Sequence, residues 1–323
     1  MSSSRARTIT VLAVAGLVLA ACSADQPDPD LESEPVPGPT ASAGSPQPIG
    51  PERAAELMDI LQGGDGPSRS DAFDEIAAAD DQRFVAVLME LHRASEVGVV
   101  PLHNLTSYVA YLEQLTGEEF SHVWPDWVDW YGATDLEPPP GFAAWKGRLL
   151  GGIDPAIGEF LADPGDAAIR IEEIVWGGVR VEGIPPLEQP AMLAADEASY
   201  LEPDEPVFGI ALDGEARAYP LRIMDWHEMA NDTIAGVPFS LAYCTLCGAG
   251  IAWDNRAPDG ETYDFGTSGL LYRSNKLMYD RQTRSLWNQF TGTPVVGELA
   301  GREGLELDLL PIVLTSWDSW QDQ

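Results

Sequence analysis

The spacing of apolar residues changes period part-way along this chain, and that change limits it to a fold of two unlike halves. From residue 51 to about 163 apolar side chains recur at helical intervals. Pro51 suits a first-turn position before Glu52 to Leu61. Ser70 is placed to cap a helix through Ala79, and Asp81 one carrying Phe84, Val85, Val87, Leu88 and Leu91. Further periodic runs cover Leu105 to Leu115 and Phe142 to Leu150. From about Val207 short apolar runs alternate with turn signals instead. Phe208 to Leu212, Asp213-Gly214 and Glu215 to Tyr219 read as a hairpin. Leu221 to Ile234 reads as a helix, and strands are expected over Val237 to Tyr243, Ala249 to Trp253 and several segments through Leu314. The expectation is an α+β protein: an α-helical N-terminal domain over 51–165, then a mainly antiparallel, β-rich domain over 166–323.

The first 50 residues read differently. Arg5 and Arg7 precede an apolar run from Thr8 to Ala20 that is too short to span a bilayer, and Leu19-Ala20-Ala21-Cys22 is a lipobox. Residues 1–21 are therefore expected to be a lipoprotein signal peptide, with Cys22 carrying acyl chains that anchor the protein on the extracytoplasmic face of the cell membrane. Residues 22–50 are rich in Pro, Ser, Ala, Asp and Glu, the composition of a disordered tether. The formal net charge of -34 opposes binding to nucleic acid and to anionic headgroups.

With Cys22 assigned to lipid, Cys244 and Cys247 are the two thiols left of 3 cysteines. They lie in Tyr243-Cys244-Thr245-Leu246-Cys247-Gly248, between two expected strands. A loop of this kind followed by glycine suits a metal knuckle, with two sulfurs aimed at one point. Only two sulfurs exist, so a third ligand must come from elsewhere. His227 is the nitrogen candidate, because the expected helix turns it inward with Ile223, Ala230 and Ile234. A Cys/Cys/His set suits zinc or copper, and Met278 is a conceivable soft ligand. Glu228 beside His227 is a candidate acid or base, although the spacing departs from that of zinc deaminases.

Two other readings compete with the metal. Outside the cytoplasm the pair is also suited to thiol–disulfide redox chemistry, or to an inert disulfide in a non-catalytic envelope binding or scaffold protein whose protein or small-molecule partner is unspecified. The strand-loop-strand setting departs from the strand-then-helix placement of a thioredoxin-like motif. His92, His103 and His122 have no ligand-spaced partners and read as ordinary histidines. Trp124, Trp127 and Trp130 suit either an aromatic wall or internal packing.

Several motifs occur in order: Gly183-Ile184-Pro185, Ala216-Arg217-Ala218-Tyr219-Pro220, Trp226-His227-Glu228, Asn231-Asp232 and the cysteine loop. Phe265 to Tyr272, Met278-Tyr279-Asp280-Arg281 and Ser285-Leu286-Trp287 follow. Together they closely resemble the bacterial domain of unknown function 3179 family over about residues 176–320. The resemblance brings no activity. It implies that His227, Cys244, Cys247, Tyr272, Ser274, Asp280, Arg281 and Trp287 occupy family motif positions. Asp280 and Arg281 then become a candidate acid/base and anion clamp, with a surface salt bridge between turn neighbours as the other reading. Tyr272, Ser274, Met278 and Trp287 become candidates for lining a pocket. Thr245 stands where the family leads one to expect proline, a change expected to loosen the loop, and such proteins usually continue beyond the position of Gln323.

Overall fold

The computed structural model describes residues 47–322. The expected signal peptide, Cys22 and all but the end of the tether lie outside the described residues. Among the described residues no helix is long and apolar enough to cross a membrane.

Seven helices come first: α1 (Pro51–Gly63), α2 (Gly66–Ala78), α3 (Phe84–Glu96), α4 (Leu105–Thr116), α5 (Trp124–Gly132), α6 (Phe142–Leu150) and α7 (Pro155–Ala162). Pro51 opens α1 as expected, but α2 is capped by Asp65, whose carboxylate accepts from Ser68 N at 2.8 Å, and not by Ser70. Asp81 precedes α3 and pairs with Arg83.

Strands β1 (Ile174–Trp176), β2 (Leu187–Glu188), β3 (Pro206–Leu212) and β4 (Glu215–Pro220) lead to the short helix α8 (Leu221–His227). Then come β5 (Met229–Ile234), β6 (Val237–Cys244), β7 (Ala249–Asp254), β8 (Phe265–Tyr272) and β9 (Asn275–Asp280). The chain closes with β10 (Leu286–Asn288), β11 (Thr293–Val296), β12 (Leu309–Leu310), β13 (Ile312–Ser316) and α9 (Trp317–Gln321). The class is α+β, helical first and β-rich second.

Three sheets result, ordered β1-β8-β9-β10-β11, β12-β7-β6-β5-β2 and β13-β3-β4. All their pairings are antiparallel except β2 with β5. Three hairpins turn on two residues of positive φ: Asp213-Gly214, Ala235-Gly236 and Arg273-Ser274. That geometry matches the twist of paired strands.

Packing joins the halves. The largest apolar core runs from Leu57, Phe73, Trp127 and Trp145 in the helices to Ile174, Leu270, Tyr279 and Val296 in the first sheet. Trp127 is fully buried, its indole N–H donates to Ser121 O, and it meets Trp130 edge to face. Of the two readings of the tryptophan cluster, internal packing therefore describes Trp127. At the same seam Lys146 of α6 is fully buried, with Glu90 Oε2 at 2.7 Å and the carbonyls of Ile171, Glu172 and Ile174 around its ammonium. A cation so buried is tolerated because each donor meets an oxygen.

The expected helix over Leu221 to Ile234 is half a strand. It ends at His227, and Glu228 takes a left-handed conformation, φ 54°, with its N–H on Met224 O at 2.7 Å. Met229 to Ile234 then pairs with β6. Asn231, Asp232 and the β-branched Thr233 and Ile234 favour this outcome, as does the Ala235-Gly236 turn that follows.

Gly250 fixes the height of the hairpin that carries the cysteines. It lies opposite Tyr243, and a Cβ placed there would meet the Phe208 ring at 2.5 Å, while Phe208 itself packs on Tyr243. Gly250→Ala is expected to cost about 1–3 kcal/mol through overpacking. In a Phe208→Leu background the same change should cost much less, which chemical denaturation of the four proteins of the cycle would measure.

Candidate functional site

Cys244 ends β6, and the chain reverses through Thr245 to Gly248 before β7. Gly248 has φ 64°, and Cys247 N–H donates to Cys244 O at 3.2 Å, so the turn brings the two side chains together. They form a disulfide with Cα atoms 5.3 Å apart. The two sulfurs differ in access. Cys244 is buried at 2 % exposure, whereas Cys247 is partly exposed beside Leu246, an apolar side chain left 73 % exposed. Cys247 Sγ rests against the carbonyl of Ser274, at the tip of the β8–β9 hairpin.

Beneath the disulfide lies a buried cation that sequence reasoning missed. Lys276 of β9 is 5 % exposed, and its ammonium donates to Glu228 O at 2.7 Å and Tyr243 O at 3.2 Å, with Glu228 Oε2 at 3.8 Å. Burial pushes its pKa from 10.5 down to about 8, against an opposing pull from the Glu228 carboxylate. The other Glu228 oxygen accepts from Thr245 Oγ1 at 2.8 Å. Thr245, expected to loosen the loop, instead ties it to Glu228. A cavity of about 40 Å³ is lined by Cys244, Glu228 and Lys276 together with Leu246 and Thr267, which places acid, base and buried sulfur around one small space.

The remaining expected residues divide clearly. His227 is partly exposed and its Nδ1 faces Pro185 O at 2.8 Å; it does not turn inward, because the helix that was to orient it ends there. Among the described residues no three His, Cys, Asp or Glu side chains are grouped as a metal would require. Asp280 is a fully buried side chain and not an exposed turn neighbour: it accepts from Thr283 N, Thr283 Oγ1 and Trp287 Nε1.

Arg281 is held by three carboxylates, Glu182, Glu188 and Asp264, at 2.7 to 3.0 Å. Its burial works against the charge, but these partners outweigh it and hold the guanidinium above its ordinary range. Both residues thus brace the sheet. Met278 and Trp287 are fully buried in the second core with Phe265. Tyr272 does line a cavity, and Ser274 reaches the disulfide through its backbone.

Residues 181–323 match the family model described as Protein of unknown function (DUF3179). The match covers β2 to α9 with the whole disulfide site, and the helical half lies outside it. No curated protein and no solved structure matches the chain significantly.

One signal for Lys276 was present in the sequence, a lysine directly before the apolar run Leu277 to Tyr279. Its partners are backbone carbonyls, which no side-chain motif marks. Because its folded pKa lies below the unfolded one, Lys276 lowers stability fully below pH 8, and that loss is recovered as pH rises from about 8 towards 10.5. Unfolding free energy should therefore rise by up to about 2 kcal/mol between about pH 8 and about pH 9.5 in the wild type but not in Lys276→Met, as followed by denaturant titration.

Proposed function

We propose that this is an extracytoplasmic thiol–disulfide exchange protein, lipid-anchored at Cys22, whose working bond is Cys244–Cys247. The observation that supports this reading best is the asymmetry of the pair: a partly exposed sulfur bonded to a buried one that shares its cavity with an ammonium and a carboxylate. An incoming thiolate attacks Cys247 Sγ, the sulfur with access. The Cys244–Cys247 bond breaks, a mixed disulfide forms on Cys247, and Cys244 leaves as a thiolate carrying the electron pair. Lys276, still protonated below about pH 8, stabilises that thiolate and supplies its proton, with Glu228 holding the ammonium in place. A second thiolate from the same substrate then attacks the mixed disulfide, leaving the substrate oxidised to a disulfide and the protein as a dithiol.

A zinc or copper centre on Cys244, Cys247 and His227 fits this arrangement poorly. Both sulfurs are bonded to each other, and the His227 ring faces a carbonyl.

Four measurements on the full chain in detergent test the proposal. Dithiothreitol should open the bond in the folded protein. Iodoacetamide should then label the Cys247 thiol of Cys244→Ser at least about tenfold faster than the Cys244 thiol of Cys247→Ser, because exposure limits access. A bond that opens only in denaturant would sink the redox reading in favour of a structural disulfide. Stoichiometric zinc in the reduced protein, lost in His227→Ala, would favour the metal centre instead. Lys276→Met should lower the rate of opening per attacking thiolate and remove its fall above about pH 8, which a pH series of stopped-flow traces would record.

A further inference from the structure

We infer that the free edge of β4 takes up an extended, uncharged segment of another polypeptide as an added strand. The inference is independent of the thiol chemistry and concerns a cavity that the exchange reading leaves unused.

β4 closes the third sheet, ordered β13-β3-β4, so one of its edges has no strand beside it. A cavity of about 470 Å³ is lined by every residue from Ala216 to Pro220. Successive side chains of a strand point to opposite faces of the sheet, so consecutive residues share one cavity when it faces the strand's edge. The register shows which backbone groups point there. Leu212 pairs with Glu215 across a two-residue turn, so that pair, Ile210 with Arg217 and Phe208 with Tyr219 exchange the ladder hydrogen bonds. The N–H and C=O of Ala216 and Ala218 turn outward, and Pro220, which has no N–H to offer, takes the next outward place. Among the described residues no protein group bonds these four outward groups of the two alanines.

Edges of this kind are usually guarded by charge or bulk. Here Ala216 is exposed and offers only a methyl group. Arg217 is drawn to the buried Asp232, whose Oδ2 it meets at 2.5 Å and which Tyr219 Oη also reaches at 2.6 Å. The rest of the lining suits side chains of an incoming strand. Trp320 of α9 lies against Gly209, where a Cβ would meet its ring at 2.5 Å, and Trp317 lines the cavity with it. Met192, Leu193 and Tyr200 are 42 %, 58 % and 47 % exposed in the same lining.

Charge and spacing select the occupant. None of the 52 Asp and Glu residues lines this cavity, and its one charged side chain, Arg217, is neutralised by Asp232. A basic segment would find no counter-charge here, whereas an uncharged, apolar one matches the lining. The outward groups of Ala216 and Ala218 recur about 7 Å apart, two strand residues, which is the repeat of another main chain. Hydrogen bonds to that main chain supply affinity, and the apolar walls select its alternate side chains.

The test uses the full oxidised chain in detergent and three acetylated, amidated hexapeptides that alternate threonine with valine, leucine or phenylalanine. Isothermal titration should show one-to-one binding of at least one of them. Its fully N-methylated copy should bind at least about tenfold more weakly, since the main-chain donors are gone. Ala218→Pro removes an outward N–H and spares the ladder to β3, so it should weaken binding about fivefold, the worth of one neutral hydrogen bond. Leu193→Ser, at an exposed position that does not threaten folding, should weaken it a few-fold. The peptide should also slow hydrogen exchange at the Ala216 and Ala218 amides. No binding of any of the three peptides at about 1 mM, or equal binding of the N-methylated copies, would overturn the inference. Self-association in sedimentation equilibrium that Ala218→Pro abolishes would assign the edge to a second copy and overturn it. Slow exchange at both amides in the peptide-free monomer would assign the edge to a segment of the same chain, with the same consequence.

Discussion

The carbonyl of Glu228 is the point on which the β-rich half turns. Two donors converge on it, the Tyr243 N–H at 2.8 Å and the Lys276 ammonium at 2.7 Å. Together they hold Glu228 in a left-handed conformation that ends α8 and sends the chain directly into β5. A non-glycine residue there is strained, and it persists because both donors are buried and would otherwise lack an acceptor. The same two bonds fix the end of β6, and so the position of Cys244. The end of β6 and the placing of the Lys276 ammonium both depend on this one oxygen.

This arrangement divides the residues that the motifs singled out into two kinds. Asp280, Arg281 and Trp287 form a framework: a saturated carboxylate under an indole, and a guanidinium held by three acids. Such groups specify the position of β9 and β10. Cys244, Cys247, Glu228, Thr245 and Lys276 gather at the disulfide, where access, charge and a small cavity meet. A motif in sequence marks both kinds alike, because each depends on one particular side chain.

The helices contribute differently. Their core continues into the first sheet through Ile174, Leu270 and Tyr279, and the buried Lys146 ties α6 to the chain leading into β1. β8 and β9 are thereby supported on the face away from the cysteine hairpin. The tip of that pair, Arg273-Ser274, is held rigidly enough to rest its carbonyl on Cys247. A turn of two non-glycine residues at positive φ is costly alone, and the packing of both flanking strands offsets it.

The sequence by itself determined the class of each half, most helix positions, the Asp213-Gly214 hairpin and the strand-loop-strand setting of the cysteines. These depend on local periodicity and turn chemistry, which are written in neighbouring residues. It placed His227 wrongly because Leu221 to Ile234 carries apolar residues at helical spacing, and the competing signal, the Ala235-Gly236 turn, lies just beyond. Only the tertiary structure decided that Lys276 sits under the disulfide, that Thr245 fastens the loop to Glu228, and that β4 turns a free edge to a cavity. Each of these depends on groups brought together across the chain, many of them backbone atoms, and a backbone carbonyl leaves no mark in an amino-acid sequence.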